Sequence, residues 1–196
     1  MRESVDPWSD EDEQALAVCA RTDRMAFGVL YDRYVARVYG YCYRRLTTPE
    51  EAEDATSLVF TRALAALPRY RDNGPSFAAW LFAIAHNVVV DELRARRERD
   101  RGMPWSGDGV PRDVDPAPGP EENALFAEDV RELRALVSHL PAEQAQLIEL
   151  RLAGLTDKEI AFVLGRSHGA VRVAQYRAVR RLRTMLGREA KERRDA

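Results

Sequence analysis

The chain has 196 residues, 45% hydrophobic and 32% charged, with a formal net charge of −2; this balance fits one or two globular domains and excludes a disordered or membrane-embedded chain. No run approaches the ~18 apolar residues of a spanning helix, and the opening MRESVDPWSDEDEQ is acidic where a secretory leader starts basic and turns apolar. Two cysteines, Cys19 and Cys42, exclude a disulfide scaffold and fit a reducing compartment, so a cytoplasmic location without membrane insertion is expected.

Charge is unevenly spread. Residues 1–22 carry −4, residues 23–68 balance, residues 69–101 carry +2, residues 102–129 carry −6 and residues 130–163 carry −1. Residues 164–196 carry +7 from ten basic and three acidic side chains. One strongly basic end on a balanced chain points to local contact with a polyanion, a solvated basic tail being the plainer alternative.

In chain order, residues 1–22 form an acidic N-terminal segment. Phe27, Leu30, Tyr34, Val38 and Tyr41 recur at steps of three and four, which predicts a helix over 24–46. Thr48, Pro49 and Glu51 form the start of the next helix, a capping box with proline at its first position. Its apolar face runs through Ala52, Ala55, Val59, Ala63 and Leu67 to a stop at Pro68. After the turn-like RDNGPS, Phe77, Trp80, Leu81, Ile84 and Val88 predict a third helix reaching about Arg97. Residues 23–101 thus make one helical unit. Cys19 and Cys42 both fall on apolar helical stretches, where a small buried thiol is expected.

From Gly102 to Pro120, nine of nineteen residues are glycine or proline; this stretch reads as a flexible linker. A second unit over 121–187 opens with the stripe Phe126, Val130, Leu133, Val137 and Leu140. Pro141 starts a further helix that ends at Ala153-Gly154, and residues 188–196 are a basic tail. Alternating β patterns are absent, so the fold class is all-α, two small helical domains joined by the linker.

The stretch after Gly154 holds the densest signal. Thr156 and Glu159 form a second capping box, with Leu155 and Ile160 placed as a hydrophobic staple. Ala161 is small where two helices must approach, Gly165 fills a turn that favours positive φ, Ser167 caps the next helix and Val171 packs back on Ile160 and Leu164. These residues fill most slots of a helix-turn-helix; Arg166 stands where an apolar residue is commoner. The second helix presents His168, Arg172, Gln175, Tyr176, Arg177, Arg180 and Arg181. With Ser167 these are the candidate DNA contacts. Arg172 is placed to read a guanine, and Arg177, Arg180 and Arg181 to hold phosphates.

FGVLYDRYVARVYGYCYRRL, EEAEDATSLVFTRAL and FAAWLFAIAHNVVVDELRARRE resemble the second conserved region of bacterial sigma factors. LPAEQAQLIELRLAGLTDKEIAFVLGRSHGAVRVAQYRAVRRLRTML resembles their fourth. With only these two regions, the chain resembles the extracytoplasmic-function group. The resemblance implies binding to core RNA polymerase, through the clamp of its largest subunit and its flap, to promoter DNA and to an anti-sigma factor.

It places Asp54, Ser57, Leu58 and Arg62 toward the polymerase, with Val59 and Phe60 in the core. It assigns recognition of the −35 element to residues 121–187 and of the −10 element to residues 23–101. Tyr70, Arg71 and Asn73 stand on a loop there, and Asn87, Asp91 and Arg94 share one helix face with Arg97 continuing it. Phe77 fits the core, Trp80 either the core or a stacking platform, and His86 either base reading or structure.

Two other classes are alternatives to this reading. A stand-alone helix-turn-helix regulator with a dimerising or sensing domain would read palindromic half-sites and ignore polymerase. An enzyme would need motifs that are missing: His86, His139, His168 and the cysteines show no metal-ligand spacing, and no phosphate loop or nucleophile elbow occurs. No cofactor, metal or catalysis is expected.

Overall fold

The computed structural model describes residues 13–46, 48–71, 73–102, 131 and 133–195. Among the described residues the fold is carried by α1 (Glu13–Cys19), α2 (Arg24–Arg45), α3 (Pro49–Ala66), α4 (Phe77–Gly102), α5 (Ala142–Leu152), α6 (Asp157–Val163) and α7 (His168–Asp195). A 3-10 turn, Leu67–Arg69, follows α3, and residues 133–138 are helical ahead of α5. No strand occurs among the described residues. The expected linker after Gly102 and the positions Phe126 and Val130 lie outside them.

Local chemistry sets the helix starts. Asp23 accepts from the Met25 amide at 2.8 Å. Both capping boxes form: Glu51 N–H donates to Thr48 Oγ1 at 3.2 Å and Glu159 N–H to Thr156 Oγ1 at 3.4 Å, with each glutamate reaching back to the cap amide. Ser76 and Ser167 cap α4 and α7 through the amides of Ala79 and Ala170, both at 3.2 Å. Each such cap contributes about 1 kcal/mol.

In the N-terminal module α2, α3 and α4 pack together. Leu30, Tyr34, Val38 and Tyr41 of α2 meet Val59 and Ala63 of α3 and Phe77, Leu81, Phe82, Ala85, Val88 and Val89 of α4 in one core. The buried surface of α4 is wider than a single stripe because α1, α2, α3 and α6 all lie against it. The helix α4 runs five residues past the expected end, to Gly102.

Three expectations are corrected. The acidic N-terminal segment holds α1, whose Leu16 and Ala17 are fully buried. Cys19, at the end of this short helix, is exposed, whereas Cys42 is buried as expected. The backbone of α7 also continues helically through the presumed tail to Asp195.

The C-terminal module packs α5 and α6 against α7. Leu147, Leu150, Leu155, Ile160, Val171 and Ala178 are buried there. The two modules were expected to be merely tethered; they are in contact, α2 with α5 and α4 with α6.

Candidate nucleic-acid interface

Two turns shape the helix-turn-helix. Gly154 has φ +87° and closes α5; Gly165 has φ +61° and joins α6 to α7. Only glycine adopts these values without strain. Arg166 is exposed and reaches Glu143 at 2.8 Å, tying the turn to the first turn of α5 and holding that carboxyl below its usual range. This contact accounts for an arginine in an apolar slot.

With Val171 and Ala178 fully buried, the orientation of α7 is fixed. At about 100° per residue, Arg172, Arg183, Tyr176, Arg180 and Arg177 fan over about 140° of its outer surface in that order. All five are exposed, as is His168. Arg181, also exposed, lies about 40° beyond Arg177, at the far edge of the fan. Gln175 sits at the packed edge, where its side-chain oxygen accepts from Arg151 at 3.1 Å. Ser167 Oγ is occupied by its capping bond.

The first module divides its candidates. Arg71, Asn73, Asn87, Asp91, Arg94 and Arg97 are exposed, and Asn87, Asp91 and Arg94 do share one side of α4. Tyr70 is corrected: it is 3% exposed, packed on Phe77 and Trp80 with ring centroids at 5.9 and 5.3 Å, and its hydroxyl faces Gln14 Oε1 at 3.0 Å and the Pro75 carbonyl at 3.2 Å. It anchors the loop from inside. Trp80 is half-buried in the same cluster. His86 is half-buried with Nδ1 3.1 Å from the Tyr41 hydroxyl, and burial lowers its pKa.

On α3, Asp54, Ser57 and Arg62 are exposed, and Arg62 reaches Asp91 of α4 at 3.5 Å. Leu58 is corrected, since it turns inward against the core. Val59 and Phe60 are buried, as expected. Leu64 is exposed three residues beyond Thr61 and seven beyond Ser57, so it extends that outer face with an apolar side chain. Its helical spacing from Ser57 was the available sign.

Residues 30–99 match the Sigma-70 region 2 family and residues 130–182 the Sigma-70 region 4 family. With a three-helix module followed by a helix-turn-helix, the chain is a sigma-70-class sigma factor, a transcription initiation factor that directs RNA polymerase to promoters. It is 42% identical over 151 residues to the ECF RNA polymerase sigma factor ShbA of Streptomyces griseus, covering 74% of this chain and 79% of that one. It is 36% identical over 183 residues to the ECF sigma factor SigD of Mycobacterium tuberculosis, covering 87% and 82%. The chain belongs to the extracytoplasmic-function (ECF) sigma factor family.

Two solved structures share the fold. CnrH, in complex with the cytosolic domain of CnrY, gives a TM-score of 0.68 at 22% identity, over 89% of this chain and 97% of that one. The sigma factor RpoE of Bartonella quintana, in complex with the anti-sigma factor NepR, gives 0.61 at 19% identity, over 82% and 96%. Family membership removes the stand-alone regulator. Among the described residues no helix is long and apolar enough to cross a membrane.

Proposed function

We propose that α7 reads the −35 element with its N-terminal half and that the outer face of α4, with the loop before it, guides the −10 strand. The observation that carries this is the arginine fan on α7, held outward by buried Val171 and Ala178. Arg172 hydrogen-bonds a base, with Ser167, His168 and Tyr176 beside it. Arg177, Arg180 and Arg181 contact phosphates, which position the helix without specifying sequence.

In the first module Arg71, Asn73, Asn87, Asp91, Arg94 and Arg97 line the strand path, with the edge of Trp80 at its start. Tyr70 and His86 support this surface rather than touch DNA. Asp54, Ser57 and Arg62, with Leu64, face the polymerase clamp. Region 4 meets the flap. An anti-sigma partner and action in the cytoplasm are part of the same reading, supported by the family and by the complexes in which the two structural neighbours were solved.

The chain supplies binding rather than catalysis. Opening about ten base pairs costs ~14 kcal/mol at ~1.4 per step, while a captured base returns roughly 1–3 kcal/mol. Core polymerase must supply the difference, so the isolated chain binds promoter DNA weakly and does not melt it. Run-off transcription with core polymerase on a promoter library tests the assignment. Arg172→Ala should lose activity selectively, on promoters sharing one base in the −35 element; equal loss on every promoter would refute base reading by Arg172.

A further inference from the structure

Gln14 of α1 lies outside both matched family regions, the first of which begins at residue 30, yet its side chain meets the loop before α4. The Tyr70 hydroxyl stands 3.0 Å from Gln14 Oε1 and 3.2 Å from the Pro75 carbonyl. Tyr70 and Pro75 are the two ends of that loop, so one hydroxyl spans its base. Between them the Arg71 carbonyl accepts from the Gly74 amide at 3.2 Å, a tight turn. Arg71 and Asn73 stand exposed on this turn.

Everything around the turn is fixed from elsewhere. The Tyr70 ring is wedged against Phe77 and Trp80. Beyond Pro75, the Ser76 hydroxyl accepts from the Ala79 amide and donates to Glu159 Oε1 of α6 at 2.5 Å. On the other side, α1 is held by its fully buried Leu16 and Ala17 and by the Tyr34 hydroxyl, which donates to Glu13 Oε2 at 2.5 Å. Gln14 follows Glu13 directly, so an anchored helix delivers its amide to Tyr70. The stretch left without apolar anchorage is the turn itself, where Arg71, Asn73 and Gly74 are all exposed.

Proton counting gives the bridge a direction. A tyrosine hydroxyl carries one proton and accepts through its oxygen. It cannot donate to Gln14 and Pro75 at once, and the Pro75 carbonyl is an acceptor only. A glutamine amide has an acceptor on one side and two donors on the other, and turning it over exchanges them. With its nitrogen toward Tyr70, Gln14 donates to the hydroxyl oxygen and the hydroxyl proton is left for Pro75. Each of the three groups then has a partner, and hydrogen bonds in series strengthen one another. A carboxylate in the same place accepts only, and would draw the hydroxyl proton away from Pro75.

We propose that Gln14 is a positioning residue for −10 recognition: by donating to Tyr70 it keeps the hydroxyl bonded to Pro75, and so holds the turn that presents Arg71 and Asn73. A helix ahead of the matched region thereby tunes which bases are accepted without touching DNA. That the turn meets the −10 strand rests on the functional reading above; the hold on the turn does not.

The effect is modest and specific. One hydrogen bond, net of its exchange with water, shifts an equilibrium about fivefold. Losing it should raise the population of the opened turn by that factor while the core beneath stays packed. A loosened turn offers Arg71 and Asn73 in more than one geometry, which costs discrimination between bases because orientation is lost.

Amide hydrogen exchange on the full chain tests the hold. Gln14→Leu keeps an apolar stem and Tyr70→Phe keeps the ring against Phe77 and Trp80. Both should retain the wild-type helical signal, with melting temperatures within a few degrees of the wild type. In each, exchange of the Gly74 amide should quicken about fivefold. Gln14→Glu should quicken it too, although a bond to Tyr70 remains. Gln14→Leu/Tyr70→Phe should exchange no faster than Tyr70→Phe, since both substitutions remove one bridge.

Unchanged exchange in the single variants, wild-type exchange in Gln14→Glu, or an additive gain of about 25-fold in the double variant would each overturn the positioning role. Variants that melt far lower, with the module loosened throughout, would overturn it as well.

Run-off transcription with core polymerase, on promoters randomised at both elements, tests the consequence. Gln14→Leu should lose about fivefold in preference at one or two −10 bases and keep the wild-type preference at −35. A loss of activity equal on every promoter would mark a merely structural helix and overturn the tuning. Arg71→Ala and Asn73→Ala separate the two levels. If they leave −10 preference unchanged, the functional reading of the loop fails and the tuning with it, while the exchange result stands. If they alter it and Gln14→Leu does not, the functional reading survives and tuning by Gln14 is refuted.

Discussion

The salt dependence of DNA binding can be worked out from the orientation of α7. Arg177, Arg180 and Arg181 are exposed on the fan that continues from Arg172, and three phosphate contacts give a slope of about −2.7 in log K against log salt. A fourfold rise, from about 50 to about 200 mM, should then weaken binding about 40-fold. Arg180→Ala removes one contact, which lowers the slope to about −1.8 and the loss to about 12-fold.

Arg21→Ala removes the same charge from the exposed turn between α1 and α2 and should leave the slope near −2.7. Fluorescence anisotropy with a labelled nonspecific duplex, run as a salt series for the three proteins, measures this. Because both substitutions change net charge equally, a general electrostatic effect cannot separate them. If Arg21→Ala flattened the slope as much as Arg180→Ala, the arginine fan would not be the DNA-facing surface.

Three other outcomes follow from single side chains. Burial lowers the pKa of His86 in the folded state, so its contribution to stability is complete above its unfolded value near ~6.5 and is lost as pH falls through the lower folded value; the wild-type melting temperature should drop more than that of His86→Gln between about pH 7.5 and about 5.5, and parallel curves would refute the histidine's role. Cys42 is buried, with its thiol pushed up to about 11, while Cys19 is exposed. A maleimide should therefore label one site in the native protein, at Cys19, and both in denaturant; mass spectrometry of digests would reveal a contrary pattern. Thr156→Ala removes the cap of α6 and should cost about 1 kcal/mol in denaturant melts, with a cost below about 0.3 kcal/mol showing that Glu159 is held by Ser76 instead.

Much of the site is legible because helices announce themselves locally. The capping pairs Thr48–Glu51 and Thr156–Glu159 form as the spacing predicts, and Gly165 takes the positive φ the turn needs. Val171 is buried, as expected of the residue that locks two helices together. Tyr70 is buried for a definite reason. A tyrosine beside a Gly-Pro turn looks like a loop residue, and only the arrival of α1, with Gln14 facing its hydroxyl, makes it part of the core. Leu58 and Gln175 lie at the borders of helix faces, where a small rotation of the helix decides between partner and core. Cys19 erred the other way, since α1 ends before anything covers it.

Helix positions, caps, the turn of the DNA-binding motif and the family were fixed by residues within a few positions of one another, because backbone hydrogen bonds and side-chain caps act over one turn. The seam between the modules was not. Arg37 and Arg44 read in sequence as ordinary polar positions of an amphipathic helix, and Glu149 as one acid among many. Their partners lie more than 100 residues away along the chain. Such a pairing leaves no periodicity, since it is selected by the three-dimensional approach of one helix end to another helix's side. Only the tertiary structure shows that charged groups tie the two modules together.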